Sequence, residues 1–148
     1  MVLQHQQDLG DVRLHRSLTL PNDVETIPQL NEFIDCTAEE IGLDMSLTMS
    51  LNLALEEAVV NVMEYAYPQG QKGNVDIDIK AYDHCLVFIL TDQGVAFDPT
   101  QKEDADTTLS AEERPIGGLG IFLVRQLMDA INYERVDGMN ILTLRKDI

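Results

Sequence analysis

Basic residues are scarce in this chain: ten lysines and arginines stand against twenty-six acids, a formal charge of −16. That deficit argues against a nucleic-acid or anionic-membrane surface, where a basic footprint is expected. It leaves a phosphate ligand open, because screening over about 8 Å lets local N–H groups or a metal ion outvote distant carboxylates. Cysteine is scarcer still. Cys36 and Cys85 form no C-x-x-C pair, which points to reduced, half-buried thiols rather than a disulfide or metal site. His5, His15 and His84 are isolated, none at ligand spacing from another candidate. No stretch approaches the roughly 20 apolar residues of a membrane span, and residues 1–15 have no apolar signal core. Low-complexity tracts, internal repeats and dividing linkers are missing too. The expectation is one cytoplasmic domain over residues 1–148, with enough chain for a proper core.

What is present reads as βα–α–ββ–lid–α–ββ. Residues 1–11 form a frayed lead-in, and the alternation over 12–20 suits an edge strand. Residues 24–41 carry Val24, Ile27, Leu30, Ile34 and Ala38 at helical spacing, with Gly42 as the stop. Pro28 suits that helix only if it begins near the proline. Asp44 and Ser46 both qualify as N-caps for a long helix to about Ala66, apolar on nearly every side and ended by Pro68 and Gly70. Residues 75–81 alternate as a strand with one wet face, and 85–91 form a continuously apolar strand that belongs in the centre. The short connection at 82–84 allows an antiparallel hairpin. From Thr100 to Ile116 there is no apolar periodicity, so a lid is assigned at about 99–117. A helix follows at 121–130, then a hairpin of 131–136 and 140–145 around Asp137-Gly138. Paired strands outnumber crossovers, which predicts an α+β two-layer sandwich: a mixed, mostly antiparallel sheet with helices on one face.

Three segments carry chemistry. Glu57 and Asn61 lie four residues apart on the long helix, within about 40° of one face, whereas Glu56 is about 140° round from Asn61. Asn61 offers the neutral, hard oxygen that magnesium accepts beside substrate phosphates. Glu57 could orient or deprotonate a hydroxyl. Two polar residues exposed at a sheet's edge would give the same pattern. Asp92 and Gly94 end the central strand: a carboxylate there can accept from an adenine amino group, and a glycine admits a flat ring. Asp-x-Gly also spells an ordinary turn. Phe97 is read as a packing residue that anchors the start of the lid. Gly117-Gly118-Leu119-Gly120 opens straight into a helix, the pattern of an anion site, though flexible lid hinges look alike. It is neither a Walker A loop nor the Rossmann fingerprint.

Taken in order, these segments resemble the GHKL ATPases of the Bergerat fold. Glu57-Ala58-Val59-Val60-Asn61 looks like the N box of that superfamily. Asp92-Gln93-Gly94 with Phe97-Asp98-Pro99 looks like its first glycine box, and Gly118-Leu119-Gly120 with Ile121-Phe122-Leu123-Val124 like its second. Glu-Ala-x-x-Asn, the compact size and Gly-Leu-Gly-Ile-Phe-Leu-Val are similar to the anti-sigma serine kinases of the RsbW and SpoIIAB type. The resemblance implies that Asn61 binds magnesium and that Glu57 is the general base for a partner's serine. It implies that Asp92 reads the adenine of ATP with Gly94 beneath the ring. Gly117, Gly118, Leu119 and Gly120 would hold phosphates, and Arg114, the lid's only arginine, is the candidate cation for the γ-phosphate. It further implies a homodimer that binds a sigma factor and phosphorylates an anti-anti-sigma (STAS) protein.

The rival reading is a nucleotide-dependent partner-binding module that transfers nothing. A detached histidine-kinase domain is disfavoured, because no helical segment supplies a phosphoacceptor histidine. Glu64, about 20° from the azimuth of Glu57, has no role assigned by the sequence.

Overall fold

The computed structural model describes residues 9–101 and 120–148. Strand β1 is Leu14–Pro21, and a short 3-10 turn over Val24–Thr26 leads into helix α1, Ile27–Ile41. Helix α2 is Met45–Tyr65, followed by β2, Asn74–Ala81, and β3, Cys85–Asp92. Helix α3 is Gly120–Leu127, and β4, Ala130–Val136, and β5, Met139–Asp147, close the chain.

Local chemistry accounts for these boundaries. Pro28 lies in the first turn of α1, where its missing N–H is no loss, so the α-helix starts at Ile27 rather than Val24. Gly42, at φ 73°, ends α1 in the left-handed conformation. Asp44 caps α2, accepting from Leu47 N at 2.7 Å, so of the two candidate caps it is the one used. The β4–β5 turn places Asp137 at φ 49° and Gly138 at φ 81°, the mirror-image geometry that matches strand twist.

The sheet order is β1-β2-β3-β5-β4, with β3 in the centre and β1 at an edge. The expected mixed sheet is instead antiparallel at every described pairing. The crossover from β3 through the lid and α3 does bring β4 in parallel to β3, but β5 inserts between them. No parallel neighbours result.

Helix α2 packs against both α1 and α3. Its inner side, including Leu51, Leu55 and Val59, meets Val75, Ile77 and Ile79 of β2 and Phe88 and Leu90 of β3 in one buried cluster. Among the described residues, the opposite face of the sheet carries a small cluster around Tyr82, Cys85 and Val87. Cys85 is buried and Cys36 exposed, so neither thiol is half-buried. Not all of α2 is interior: Met45, Met49 and Leu53 are 79%, 66% and 45% exposed. Phe88, 1% exposed on the central strand, is among the largest fully buried side chains. Phe88→Ala is expected to cost about 3–5 kcal/mol, read as a lower urea midpoint with an unchanged slope.

One cross-strand row runs the full width of the sheet and carries its buried polar residues. Leu20, Val75, Asp92, Asn140 and Arg135 sit opposite one another across the five strands.

Candidate functional site

The second half of α2 presents the first group. Asn61 is 2% exposed. Its Nδ2 donates to the Glu57 carbonyl oxygen one turn earlier, at 3.0 Å, and this back-bond fixes the carboxamide. Its Oδ1 is buried and has no hydrogen-bond partner among the described residues. Leaving such an acceptor unpaired costs about 1–3 kcal/mol, and a native fold tolerates that chiefly where a ligand atom completes the bond. A neutral, oxygen-only acceptor of this kind fits a hard divalent cation such as magnesium.

Glu57 is half-buried beside it. Burial pushes its carboxyl pKa up from the ordinary range, and the charges of Glu56 and Glu64 push the same way. Glu64 itself is exposed. Its effect on Glu57 is the only function the structure attaches to it.

The second group sits where β3 ends. Asp92 is 3% exposed, and its Oδ1 accepts from Gly94 N at 2.9 Å and from Asn140 Nδ2 at 2.9 Å. No described residue donates to Oδ2. Burial raises its pKa, and the bonds from Asn140 and Gly94 and the nearby Arg135 only partly offset that. Gly94 is required for a steric reason that spacing does not reveal. A Cβ there would lie 2.2 Å from the Ala66 carbonyl oxygen at the end of α2. Val95 N donates to that same oxygen at 2.7 Å, so the loop after Asp92 is stitched to the helix that carries Glu57 and Asn61. Asn61 lies five residues before Ala66, about 7.5 Å along the helix axis.

Strands β4 and β5 supply residues that the sequence reading missed. Asn140, 3% exposed, also donates from Nδ2 to the Val95 carbonyl oxygen at 2.8 Å. Its Oδ1 accepts from Phe97 N at 3.3 Å and from the Tyr133 hydroxyl. Burial raises the Tyr133 phenol pKa, which keeps it a donor. Arg135 Nη1 donates to the Gly94 carbonyl oxygen at 2.9 Å. A signal for Asn140 was available: it shares the inward face of β5 with Leu142 and Leu144, a polar residue where the alternation demands an apolar one. Tyr67 was missed as well. Its hydroxyl donates to the Asn74 carbonyl and accepts from Gln93 N, tying the ends of β2 and β3 together.

Phe97 behaves as expected at the base of the lid. Its ring stacks on Tyr65 with centroids 5.4 Å apart, and Arg125 of α3 donates to the Thr100 carbonyl oxygen at 2.7 Å just beyond. Gly120 is the first residue of α3. Arg114, Gly117, Gly118 and Leu119, together with most of the lid, lie outside the described residues. The arrangement therefore brings Asp92 and Gly94 to the C-terminal end of the helix bearing Glu57 and Asn61, with two acceptors that no described residue pairs, the buried Asn61 Oδ1 and Asp92 Oδ2.

Comparison with known proteins points the same way. The family profile of histidine kinase-like ATPase domains matches residues 20–146. The serine/threonine-protein kinase BtrW of Bordetella bronchiseptica is 32% identical over 98 residues, 66% of this chain and 69% of that protein. The serine-protein kinase RsbW of Halalkalibacterium halodurans is 27% identical over 140 residues, 86% of this chain and 83% of its own. RsbW of Bacillus subtilis is 24% identical over 128 residues, 84% and 80% of the two chains. Among solved structures, the RsbU and RsbW domains of a Mycobacterium tuberculosis protein share the fold with a TM-score of 0.64 at 17% identity, over 90% of this chain and 32% of that one. The SiaB–SiaC complex of Pseudomonas aeruginosa matches with a TM-score of 0.56 at 15% identity, over 99% and 96%.

Proposed function

The chain belongs to the family of histidine kinase-like ATPase domains, and from that membership we propose an ATP- and magnesium-dependent protein serine kinase acting as an anti-sigma regulatory factor. Its substrate is a serine of an anti-anti-sigma protein of the STAS class. It works in the cytoplasm as a homodimer that exchanges this partner for a sigma factor. The observation that carries the reading is Asn61 Oδ1, buried and without a partner among the described residues, one turn from a half-buried Glu57. The kinase names of its relatives BtrW and RsbW support it.

In this reading Asn61 would hold magnesium through Oδ1, and the ion would supply charge neutralisation at the phosphates. Glu57 accepts the proton of the attacking serine hydroxyl. Its raised pKa makes it a stronger base. Asp92 accepts a hydrogen bond from the adenine amine, with Gly94 beneath the ring. Gly117, Gly118, Leu119 and Gly120 cradle the phosphates, and Arg114 meets the γ-phosphate. Phosphoryl transfer asks for positioning and electrostatics more than for covalent help, and this set supplies both.

The test is transfer of labelled phosphate from ATP to a STAS partner, beside Glu57→Ala. Label reaching the partner only with Glu57 intact supports the kinase. Tight nucleotide binding without transfer leaves the partner-binding module, and absence of ATP binding by calorimetry overturns both. Asn61→Ala is expected to raise the magnesium concentration needed for half-maximal ATP binding by about tenfold or more, the equivalent of about 1.4 kcal/mol. Thermal stability without ligand should fall by less than truncation of a buried side chain ordinarily costs, because an unpaired oxygen is lost with it.

A further inference from the structure

Asn140 lies outside every motif that suggested a nucleotide site, yet its carboxamide makes four hydrogen bonds in the described structure. We propose that Asn140 is the positioning residue for base selectivity: by holding Asp92 Oδ1 it presents Oδ2 as the acceptor for an exocyclic amine. The proposal rests on the reading of Asp92 as the group that meets the base.

A free aspartate has no preferred oxygen, since its terminal torsion is broad and roughly two-fold. Here two donors converge on Oδ1, and each comes from a fixed element. Gly94 N–H belongs to a loop held on the Ala66 and Arg135 sides. Asn140 Nδ2 belongs to β5, directly opposite Asp92 in the register. The carboxamide itself has one admissible orientation. The carboxylate and the Val95 carbonyl only accept, so they take its N–H groups. Phe97 N–H donates, and the protonated Tyr133 hydroxyl does the same, so they take its oxygen.

Asp92 is thereby held in one pose with Oδ2 left unpaired among the described residues. An anionic oxygen fixed in place favours an amine and repels a keto oxygen, so it selects adenine over guanine. Asn140 touches no ligand in this scheme and acts through Asp92. Without it, Oδ1 keeps only the Gly94 bond, and the carboxylate can turn.

Calorimetry on the full chain at fixed magnesium tests this with three nucleotides: ATP, GTP and purine riboside triphosphate, which lacks the amine. Wild type should prefer ATP to the amine-free analogue by about tenfold or more, the scale of a hydrogen bond to a charged group. Asn140→Ala should collapse that preference toward unity, whatever uniform loss the cavity adds. Asn140→Asp preserves the shape but sets two carboxylates side by side, which forces them to share a proton. Its preference for ATP over GTP should narrow, and narrow further as pH falls.

An equal loss of affinity for ATP and for the analogue in Asn140→Ala would make Asn140 merely structural and overturn the proposal. If the alanine variant does not fold, a folded Asn140→Asp with the wild-type ATP:GTP ratio at every pH overturns it instead. Wild type that ignores the amine altogether refutes the reading of Asp92, a different failure.

Discussion

Replacing Glu57 with glutamine is expected to lower phosphoryl transfer by about 10²–10⁴-fold, the range for loss of a general base. ATP affinity should change only a few-fold, because the substitution keeps the shape and leaves the Glu57 carbonyl that orients Asn61 in place. Single-turnover transfer beside calorimetric binding separates the two quantities. A parallel loss of binding and turnover would instead make Glu57 part of the nucleotide cradle.

The pH profile carries the same argument with a sign. Burial and the charges of Glu56 and Glu64 raise the Glu57 pKa in the folded protein, so the acid limb of kcat should be displaced upward from that of an ordinary glutamate. Glu64→Gln removes one of those charges and should move the limb to lower pH without abolishing activity. Stability follows the opposite course. Between the unfolded and the raised folded value the native state binds the extra proton, so this group's contribution to stability is lost as pH rises through the folded pKa.

Glu57 and Asn61 were legible in the sequence because one helical turn is a local relation that any i, i+4 pair displays. The Asp44 cap, the Pro28 start and the Asp137-Gly138 turn were legible for the same reason, since each acts within a few residues. What escaped depends on chain segments that meet only in the fold. Asn140 acquires its meaning from a partner 48 residues away, through a β3–β5 pairing that motif order does not specify. Gly94 looks like room for a ring in the sequence, but its nearest obstacle is the carbonyl of Ala66 at the end of another element. The mostly antiparallel sheet was legible, and only its expected mixed component is absent among the described strands, because a crossover states which strands run parallel and not which become neighbours. Met45, Met49 and Leu53 show the converse: an all-round apolar helix does not say which side the rest of the chain covers.

Asp92→Asn should produce the largest binding defect, and the reason lies in which atom changes. Asparagine can still place its Oδ1 against Gly94 N–H and Asn140 Nδ2, so the loop stays stitched. Its Nδ2 then occupies the position of Asp92 Oδ2 and meets the adenine amine donor to donor. Losing a hydrogen bond to a charged group costs about ten- to a hundredfold in affinity, so ATP affinity should fall on at least that scale while GTP, with a keto acceptor, falls far less. Stability should move the other way. Burial raises the Asp92 pKa, so only between the unfolded and the folded value does the native state hold a proton that the unfolded chain has released, and raising pH through the folded value costs stability that a neutral asparagine never loses. The variant should therefore melt at or above the wild-type temperature at neutral pH, with the gap closing as pH falls. A buried acid that weakens the fold and yet is indispensable to binding is the signature of a site residue. If Asp92→Asn binds ATP normally, or melts well below wild type, Asp92 is a structural turn residue and the adenine reading is wrong.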